Sequence, residues 1–136
     1  RITDVVLLDA RDRPVSEIRT GEQVKLKFDY RLVGRFDGDI TFVFNLYRHD
    51  DFYICGATTT MDKLPAVTAR PSGSVTVVFP ELQLLAGRYK WRVAINDASG
   101  IGIYTEAVPV CEFQIKDDFQ SVGLLHLNRE WVIETR

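Results

Sequence analysis

The sequence predicts an all-β fold, an immunoglobulin-like antiparallel sandwich of about eight strands. Two observations carry this prediction: several segments alternate apolar and polar residues with a period of two, and turn signals separate them at regular spacing. In the segment 87–97, Tyr89, Trp91, Val93 and Ile95 fall on one face and polar residues on the other. This segment is therefore expected to be a central strand whose aromatic face fills the core.

The other strands follow from the same pattern. The short apolar run 2–8 ends in a polar turn, and 24–31 is the cleanest alternation in the chain. Segments 40–47 and 52–60 flank a polar hairpin turn at 49–51, and 74–79 is closed by Pro80. The segment 65–73 is expected to be a loop, and 81–86 is the one place where a helical turn or a short crossover fits.

The last predicted strand, 103–115, is interrupted by Pro109, which indicates an edge position or a bulge. The tail that follows is too apolar for a solvated chain end, so it is expected to dock on its own sandwich or on a partner subunit. Its apolar residues are Val122, Leu124, Leu125, Leu127, Trp131 and Ile133.

Composition limits the functional classes. The 136 residues fit one domain, and 46% hydrophobic with 26% charged residues is typical of a globular protein. A net charge of -2 argues against binding nucleic acid by bulk electrostatics, and no apolar run is long enough to cross a membrane. Cys55 and Cys111 are expected to be two small buried hydrophobes in a reducing compartment, with a disulfide as the alternative. Because the chain starts at Arg1 without a signal sequence, it is expected to be a piece of a longer protein.

Signals of catalysis are weak. There is no GxSxG elbow, no phosphate-binding glycine loop and no HExxH motif. His49 with Asp50 and Asp51 is either a divalent-metal site or, in preference, a solvated hairpin turn. Likewise, the acidic pairs at 37–39 and 117–118 are either calcium ligands or plain turns. We therefore predict no catalytic residue, no metal and no cofactor.

An enzyme such as a lyase or a glycosidase is a further alternative. A glycosidase needs two carboxyl groups roughly 5–10 Å apart. Glu106 and Glu112, on the strand 103–115, are the candidates, provided that a bulge at Pro109 does not place them on different faces.

The outward face of one sheet is the candidate binding surface. If 87–97 lies between 40–47 and 103–115, that face carries Thr41 together with seven predicted glycan-binding residues: Asn45, Tyr47, Lys90, Arg92, Asn96, Glu112 and Gln114. Sugar hydroxyls pair with such donors and acceptors, and the C–H faces of sugar rings stack on tyrosine. The alternative is a solvated face on which Arg92 or Lys90 pairs with Glu112.

Four sequence segments, in this order, carry a resemblance to a known family. They are Thr20-Gly21-Glu22, then 41–46 followed by 56–59, then 84–89, and finally 123–127 with Trp131 close behind. Across nearly the whole chain the sequence resembles the C-terminal carbohydrate-binding domain of Wzt, the ATP-binding subunit of ABC transporters that export O-antigen polysaccharide.

The resemblance implies a single carbohydrate-binding domain over 1–136 that recognises the capped, non-reducing end of the polysaccharide. It implies a homodimer in which the C-terminal strand is exchanged between the subunits, with 117–136 as the dimerisation tail. It also implies a transmembrane transporter subunit as partner, an ATPase domain elsewhere in the parent subunit, and a cytoplasmic location at the inner face of the bacterial inner membrane.

Two points remain about the ligand and the function. Arg88, Lys90 and Arg92 make the outward face locally basic, so an acidic or phosphate-bearing cap is a plausible ligand. The alternative function is a structural domain that only dimerises and binds no glycan.

Overall fold

The computed structural model describes residues 1–33, 38–98, 103–118 and 121–135, without the side chains of 104 and 107–110. The described residues form nine strands and no helix. The strands are β1 (Ile2–Leu8), β2 (Glu17–Arg19), β3 (Val24–Arg31), β4 (Asp39–Arg48), β5 (Tyr53–Thr58), β6 (Val67–Thr68), β7 (Ser72–Phe79), β8 (Gly87–Asp97) and β9 (Ile103–Lys116).

The strands form two sheets, which confirms the predicted sandwich. The smaller sheet has the order β1-β3-β7, and the larger has the order β2-β9-β8-β4-β5, with β6 pairing to β4. All pairings are antiparallel except β2 with β9, which is parallel. Strand β8 lies between β4 and β9, as predicted, so the candidate surface is assembled from adjacent strands.

Alternation along the strands determines which face is buried. Trp91 and Val93 of β8 pack against Leu26 and Phe28 of β3 in one core cluster that joins the two sheets. Trp91 is 1% exposed, and the ring of Phe79 stacks on it with centroids 5.1 Å apart. The aromatic side of β8 therefore fills the core, as predicted, and the opposite side faces outward.

Strand β9 is irregular in its centre. Its pairing with β8 shifts between Ala107 and Val110 and again between Val110 and Glu112, where Cys111 has a positive φ of 52°. The first shift brackets the proline at 109, which lacks a backbone N–H and cannot donate to the ladder. The predicted bulge is therefore present, and a second one follows it.

Of the two alternatives for 81–86, the structure has the short crossover: the segment leads from β7 in the smaller sheet to β8 in the larger one, it contains no helical turn, and Leu84 forms a bridge with Leu125. Other local expectations were wrong. The expected loop at 65–73 contains β6 and the start of β7, and the short strand β2 was not predicted. Cys55 is exposed rather than buried, whereas Cys111 packs against the core, and both thiols are free. One member of the acidic pair at 37–39, residue 37, lies outside the described residues.

The tail docks on its own sandwich over only a few residues. Backbone bonds join Leu85 to Leu124 (2.9 Å) and His126 to Gln83 (2.8 Å), and Leu124 packs against the core. Beyond that point the side chains are exposed, with Trp131 at 80% and Val132 at 87%. Within the described ranges no helix is long and apolar enough to cross a membrane.

Candidate functional site

All seven predicted residues lie on the outward face of the β9-β8-β4 strands. Cross-strand pairing sets Asn45 opposite Arg92 and Tyr47 opposite Lys90 on one side of β8, and Glu112 opposite Lys90 on the other. The face is not one continuous groove, because it carries two depressions. We name them the Arg92 pocket and the Arg88 depression.

The Arg92 pocket is a cavity of about 400 Å³. Three predicted residues line it, Asn45, Arg92 and Asn96, together with Thr41 and Val43. The remaining wall comes from β5 and the turn after it, mainly Tyr53, Gly56, Ala57, Thr58, Thr60 and Met61.

Arg92 is the centre of a hydrogen-bonded network in this pocket. Its Nη2 and Nε donate to Glu106 Oε2 at 2.5 and 3.2 Å, and its Nη1 donates to Asn45 Oδ1 at 2.7 Å. Asn45 Nδ2 in turn donates to Tyr53 Oη at 3.1 Å. Because the Arg92 side chain is only 18% exposed, these partners hold it in a fixed orientation.

Gly56 makes this network sterically possible. It pairs with Asn45 across the β4–β5 ladder, and a Cβ at this position would lie 2.2 Å from Asn45 Nδ2 and 2.5 Å from Tyr53 Oη. Both distances are far inside van der Waals contact. The Tyr53 ring also packs on the Tyr47 ring, with centroids 5.4 Å apart. Gly56 thus lets the amide and the two aromatic rings occupy one site.

The floor of the Arg92 pocket is less polar than the sequence pattern suggests. Thr41 is 1% exposed, and its hydroxyl is hydrogen bonded to those of Thr59 (2.9 Å) and Thr60 (3.0 Å), so it stabilises the β4–β5 end. Val43 is 8% exposed and lies between these hydroxyls and Asn45. Met61 is 69% exposed at the rim. The pocket therefore combines polar walls with an apolar floor.

Asn96 closes the pocket at the end of β8. Its Oδ1 is buried and has no hydrogen-bond partner among the residues that the structure describes. Buried carbonyl oxygens are normally paired, and leaving one unpaired costs about 1–3 kcal/mol. A donor that reached this amide from the pocket would remove that penalty.

The Arg88 depression, also about 400 Å³, lies at the other end of the same face. It is lined by Arg88, Lys90, Glu112 and Gln114, together with Ser16 and His49. Lys90 Nζ lies 2.5 Å from Asp51 Oδ1 in the β4–β5 turn. The solvated-face alternative paired Lys90 or Arg92 with Glu112; the two basic residues are instead paired with Asp51 and Glu106, which the turn and the bulged β9 bring closer.

The described acidic residues of the other candidate sites make local structural contacts. Asp50 accepts two hydrogen bonds from Arg48, and this pairing, with the backbone N–H of Phe52, lowers the pKa of Asp50 from 3.8 to about 2. Asp117 accepts a bond from the Ala86 N–H (2.6 Å), and Asp118 pairs with Arg19 (2.9 Å). Across the described ranges no group of three or more His, Cys, Asp or Glu side chains is placed to hold a metal ion.

Glu106 and Glu112 do not form a hydrolytic pair. They lie opposite Ala94 and Lys90 of β8, four residues apart. At about 3.3 Å per residue these two backbone positions are ~13 Å apart, whereas the carboxylates themselves are about 5–10 Å apart in a glycosidase pair. Glu106 is moreover hydrogen bonded to Arg92, so its role is to orient the guanidinium.

Sequence reasoning missed Tyr53, Gly56 and Glu106 as members of the surface. Tyr53 is detectable, because the turn at 49–51 sets it opposite Tyr47 in the hairpin register. Gly56 gives no signal by itself, since its requirement depends on the side chain across the ladder. Glu106 was weighed only as a catalytic acid, because the bulges of β9 hide its register with Arg92 from the sequence.

A comparison with protein-family models shows which family this chain belongs to. The family model described as the Wzt C-terminal domain matches residues 1–127. The chain belongs to the Wzt C-terminal domain family.

Solved structures agree with this assignment at the level of the fold. The crystal structure of a Wzt C-terminal domain superposes with a TM-score of 0.81 and 10% identity, covering 98% of this chain and 83% of that one. An alkylpurine DNA glycosylase, AlkC of Pseudomonas fluorescens, matches with a TM-score of 0.54 and 14% identity, over 85% of this chain and 30% of its own. A comparison with curated proteins finds no match.

The family assignment agrees with the predicted resemblance, and it places the domain in the context of an ABC transporter with a carbohydrate-binding role. At 10% identity the binding residues of a relative cannot be transferred. The residues that carry function in this Wzt C-terminal domain therefore have to be argued from its own surface.

Proposed function

We propose that this domain is a non-catalytic module that recognises the capped, non-reducing end of an O-antigen polysaccharide before export. The observation that carries the proposal is the Arg92 pocket, in which a fixed Arg92–Asn45–Tyr53 network stands over an apolar floor on the outward face of the larger sheet. Such a pocket matches a sugar, which has hydroxyls around its edge and C–H groups on its face.

The terminal sugar is expected to occupy the Arg92 pocket. Asn45, Arg92 and Asn96 would make its polar contacts, and the paired rings of Tyr47 and Tyr53 would support the next ring of the chain. The polymer would then continue along β8 towards the Arg88 depression, where Lys90, Glu112 and Gln114 offer further polar contacts. All seven predicted residues take part in this arrangement.

We further propose that the apolar tail forms a homodimer. Leu127, Trp131, Val132 and Ile133 are between 69% and 87% exposed, and burying such side chains against a second copy would stabilise the pair. Exchange of the C-terminal strand between subunits is one way to bury them. This surface also supports the second candidate function, a domain that only dimerises.

The proposed setting is an O-antigen ABC transporter of the bacterial inner membrane. In it the domain would sit at the cytoplasmic face, next to the transmembrane subunit, and an ATPase domain of the same parent subunit would hydrolyse ATP. The role of this domain would be recognition and presentation of the finished chain.

Calorimetric titration of the domain with the cognate polysaccharide, with and without its cap, tests the proposal. Replacing Tyr47→Ala and Arg92→Ala together should abolish detectable binding, because the double variant removes an aromatic contact and the centre of the network. Lys27→Ala, on the exposed face of β3, is the matched control and should bind normally. Binding by the double variant equal to that of the control would refute the site, and no binding by the unmodified domain would favour the dimerisation function.

A further inference from the structure

The positive charges nearest the Arg92 pocket are already neutralised within the protein. The Nε–Nη2 edge of Arg92, the edge that pairs bidentately with phosphate or carboxylate, is occupied by Glu106. Lys90 is 16% exposed and paired with Asp51. A face that looks basic in the sequence is therefore close to electrically neutral around the Arg92 pocket.

Arg88 is the exception, and it lies away from the pocket. Within the described part of the chain its guanidinium has no carboxylate partner, and it lines the Arg88 depression instead. Arg92 lies four positions further along β8, which is about 13 Å along the strand. An anion bound at Arg88 would not be the sugar that occupies the Arg92 pocket.

Glu106 makes the pocket unfavourable for an anion. Its side chain is 48% exposed beside Arg92, so it can accept hydrogen bonds from hydroxyls at the rim and it repels a phosphate or a carboxylate. The N–H groups of Arg92 and Asn45 that are not already hydrogen bonded within the network can each donate a single hydrogen bond to a sugar hydroxyl. Ionised phosphate and carboxylate oxygens are acceptors only, and the strongest donor edge they need is blocked.

The floor adds a preference for apolar groups. Val43, Ala57 and Ala98 line the pocket, and Met61, a flexible side chain that adapts to irregular shapes, lies at its rim. Such a floor matches the C–H face of a sugar ring, a deoxy position or a methyl substituent. A charged substituent placed there would lose its water without gaining a partner.

We propose that the Arg92 pocket selects an uncharged terminal sugar with an apolar face or substituent and excludes a terminus that bears phosphate or carboxylate. This rests on the proposed glycan-binding function and replaces the expectation of an acidic or phosphate-bearing cap. Glu106 acts here as a specificity-determining residue, because it occupies the edge of Arg92 that an anion needs.

The salt dependence of binding tests the proposal with the native ligand. In an Arg88→Ala variant, which removes the cation of the Arg88 depression outside the pocket, affinity for the cognate polysaccharide should change less than about twofold between 50 and 500 mM NaCl, because no ion pair between the Arg92 pocket and the ligand is screened. An anionic terminus held by Arg92 would instead lose roughly tenfold or more over this range. No binding at either salt concentration would refute the proposed function itself, so the two failures are distinguishable.

A charge-neutral variant tests the role of Glu106. Saturation-transfer NMR with methyl hexosides, 6-deoxyhexoses, hexose 6-phosphates and hexuronates should give signals from the two neutral classes only. Glu106→Gln should allow the phosphates and hexuronates to bind, because the repelling charge is gone. Asp29→Asn makes the same change of net charge on the other sheet, and it should not allow phosphates or hexuronates to bind. Binding of hexose phosphates by the unmodified domain at Arg92, or no gain in Glu106→Gln, would overturn the assignment.

Discussion

The contact between Gly56 and Asn45 predicts a sharp penalty for Gly56→Ala. The added Cβ would lie 2.2 Å from Asn45 Nδ2, 2.5 Å from Tyr53 Oη and 2.7 Å from the Phe44 carbonyl oxygen. The two side chains can rotate away only by giving up the Asn45–Tyr53 bond, and the carbonyl can move only if β5 separates from β4. Overpacking of this kind typically costs about 1–3 kcal/mol.

The expected stability change can be measured by thermal unfolding. Unfolding entropies near 2.1 cal/mol/K per residue give ~0.29 kcal/mol/K for a chain of this size, so a loss of ~2 kcal/mol lowers Tm by about 7 °C. Circular dichroism would record this shift. Ser74→Ala, an exposed substitution on β7, is the control and should change stability by less than about 0.5 kcal/mol.

Two further readouts separate the causes. Tyr53→Phe removes the acceptor of the Asn45 bond without adding bulk, so it should cost less than about 1 kcal/mol. Gly56→Ala should also weaken glycan binding by about tenfold, since ~1.4 kcal/mol is lost when the network is disordered. A Gly56→Ala domain with Tm within 2 °C of the unmodified protein would refute the steric argument.

Three other predictions concern the hairpin, the tail and the thiols. Arg48 lowers the pKa of Asp50 from 3.8 to about 2. The pair therefore stabilises the fold at pH values above 3.8, the pKa in the unfolded chain, and this contribution is lost as the pH falls through about 2. An NMR titration of the Asp50 carboxyl should show a midpoint at about 2, and Arg48→Gln should return the midpoint towards 3.8. Truncation after His126 keeps the Leu124 contacts but removes the exposed residues Trp131, Val132 and Ile133. Light scattering should then show a folded monomer. A dimer that persists in the truncated protein would exclude the tail as the interface. Burial raises the pKa of both thiols, so accessibility decides their order of reaction. Cys55 is the more exposed residue, so a thiol reagent at pH 8 should label it first, and the reverse order would contradict the packing of β9.

Most of the fold is predictable because its strands are long and alternate regularly. Val24–Arg31 and Gly87–Asp97 have the bounds that the alternation indicates. The first buries every second side chain, and the second does so from Tyr89 to Ile95 with Ala94 buried in addition. The strands β2 and β6 are three and two residues long, and they exist only because β9 and β4 offer free edges to pair with. Tertiary pairing of this kind leaves no periodic signal in the sequence.

The candidate surface was predictable in position but not in chemistry. Alternation along β4 and β8 is sufficient to place Asn45, Tyr47 and Arg92 on one face. The charge of that face cannot be predicted from the alternation. Glu106 reaches Arg92 through a register that two bulges have shifted, and Asp51 reaches Lys90 from a turn. The count of basic residues therefore indicated an anionic ligand, whereas the ion pairs favour a neutral one.

The most direct test of the account is to map the bound polysaccharide on the domain by amide chemical-shift perturbation. Titration of the ¹⁵N-labelled domain with the cognate capped polysaccharide should move the signals of Asn45, Gly56 and Arg92 most, with smaller changes near Gln114. Signals of Lys27 and Asp29 on the other sheet should stay unchanged. Perturbations centred on β3 and β7, or no perturbation at all, would contradict the assignment of glycan recognition to the Arg92 pocket.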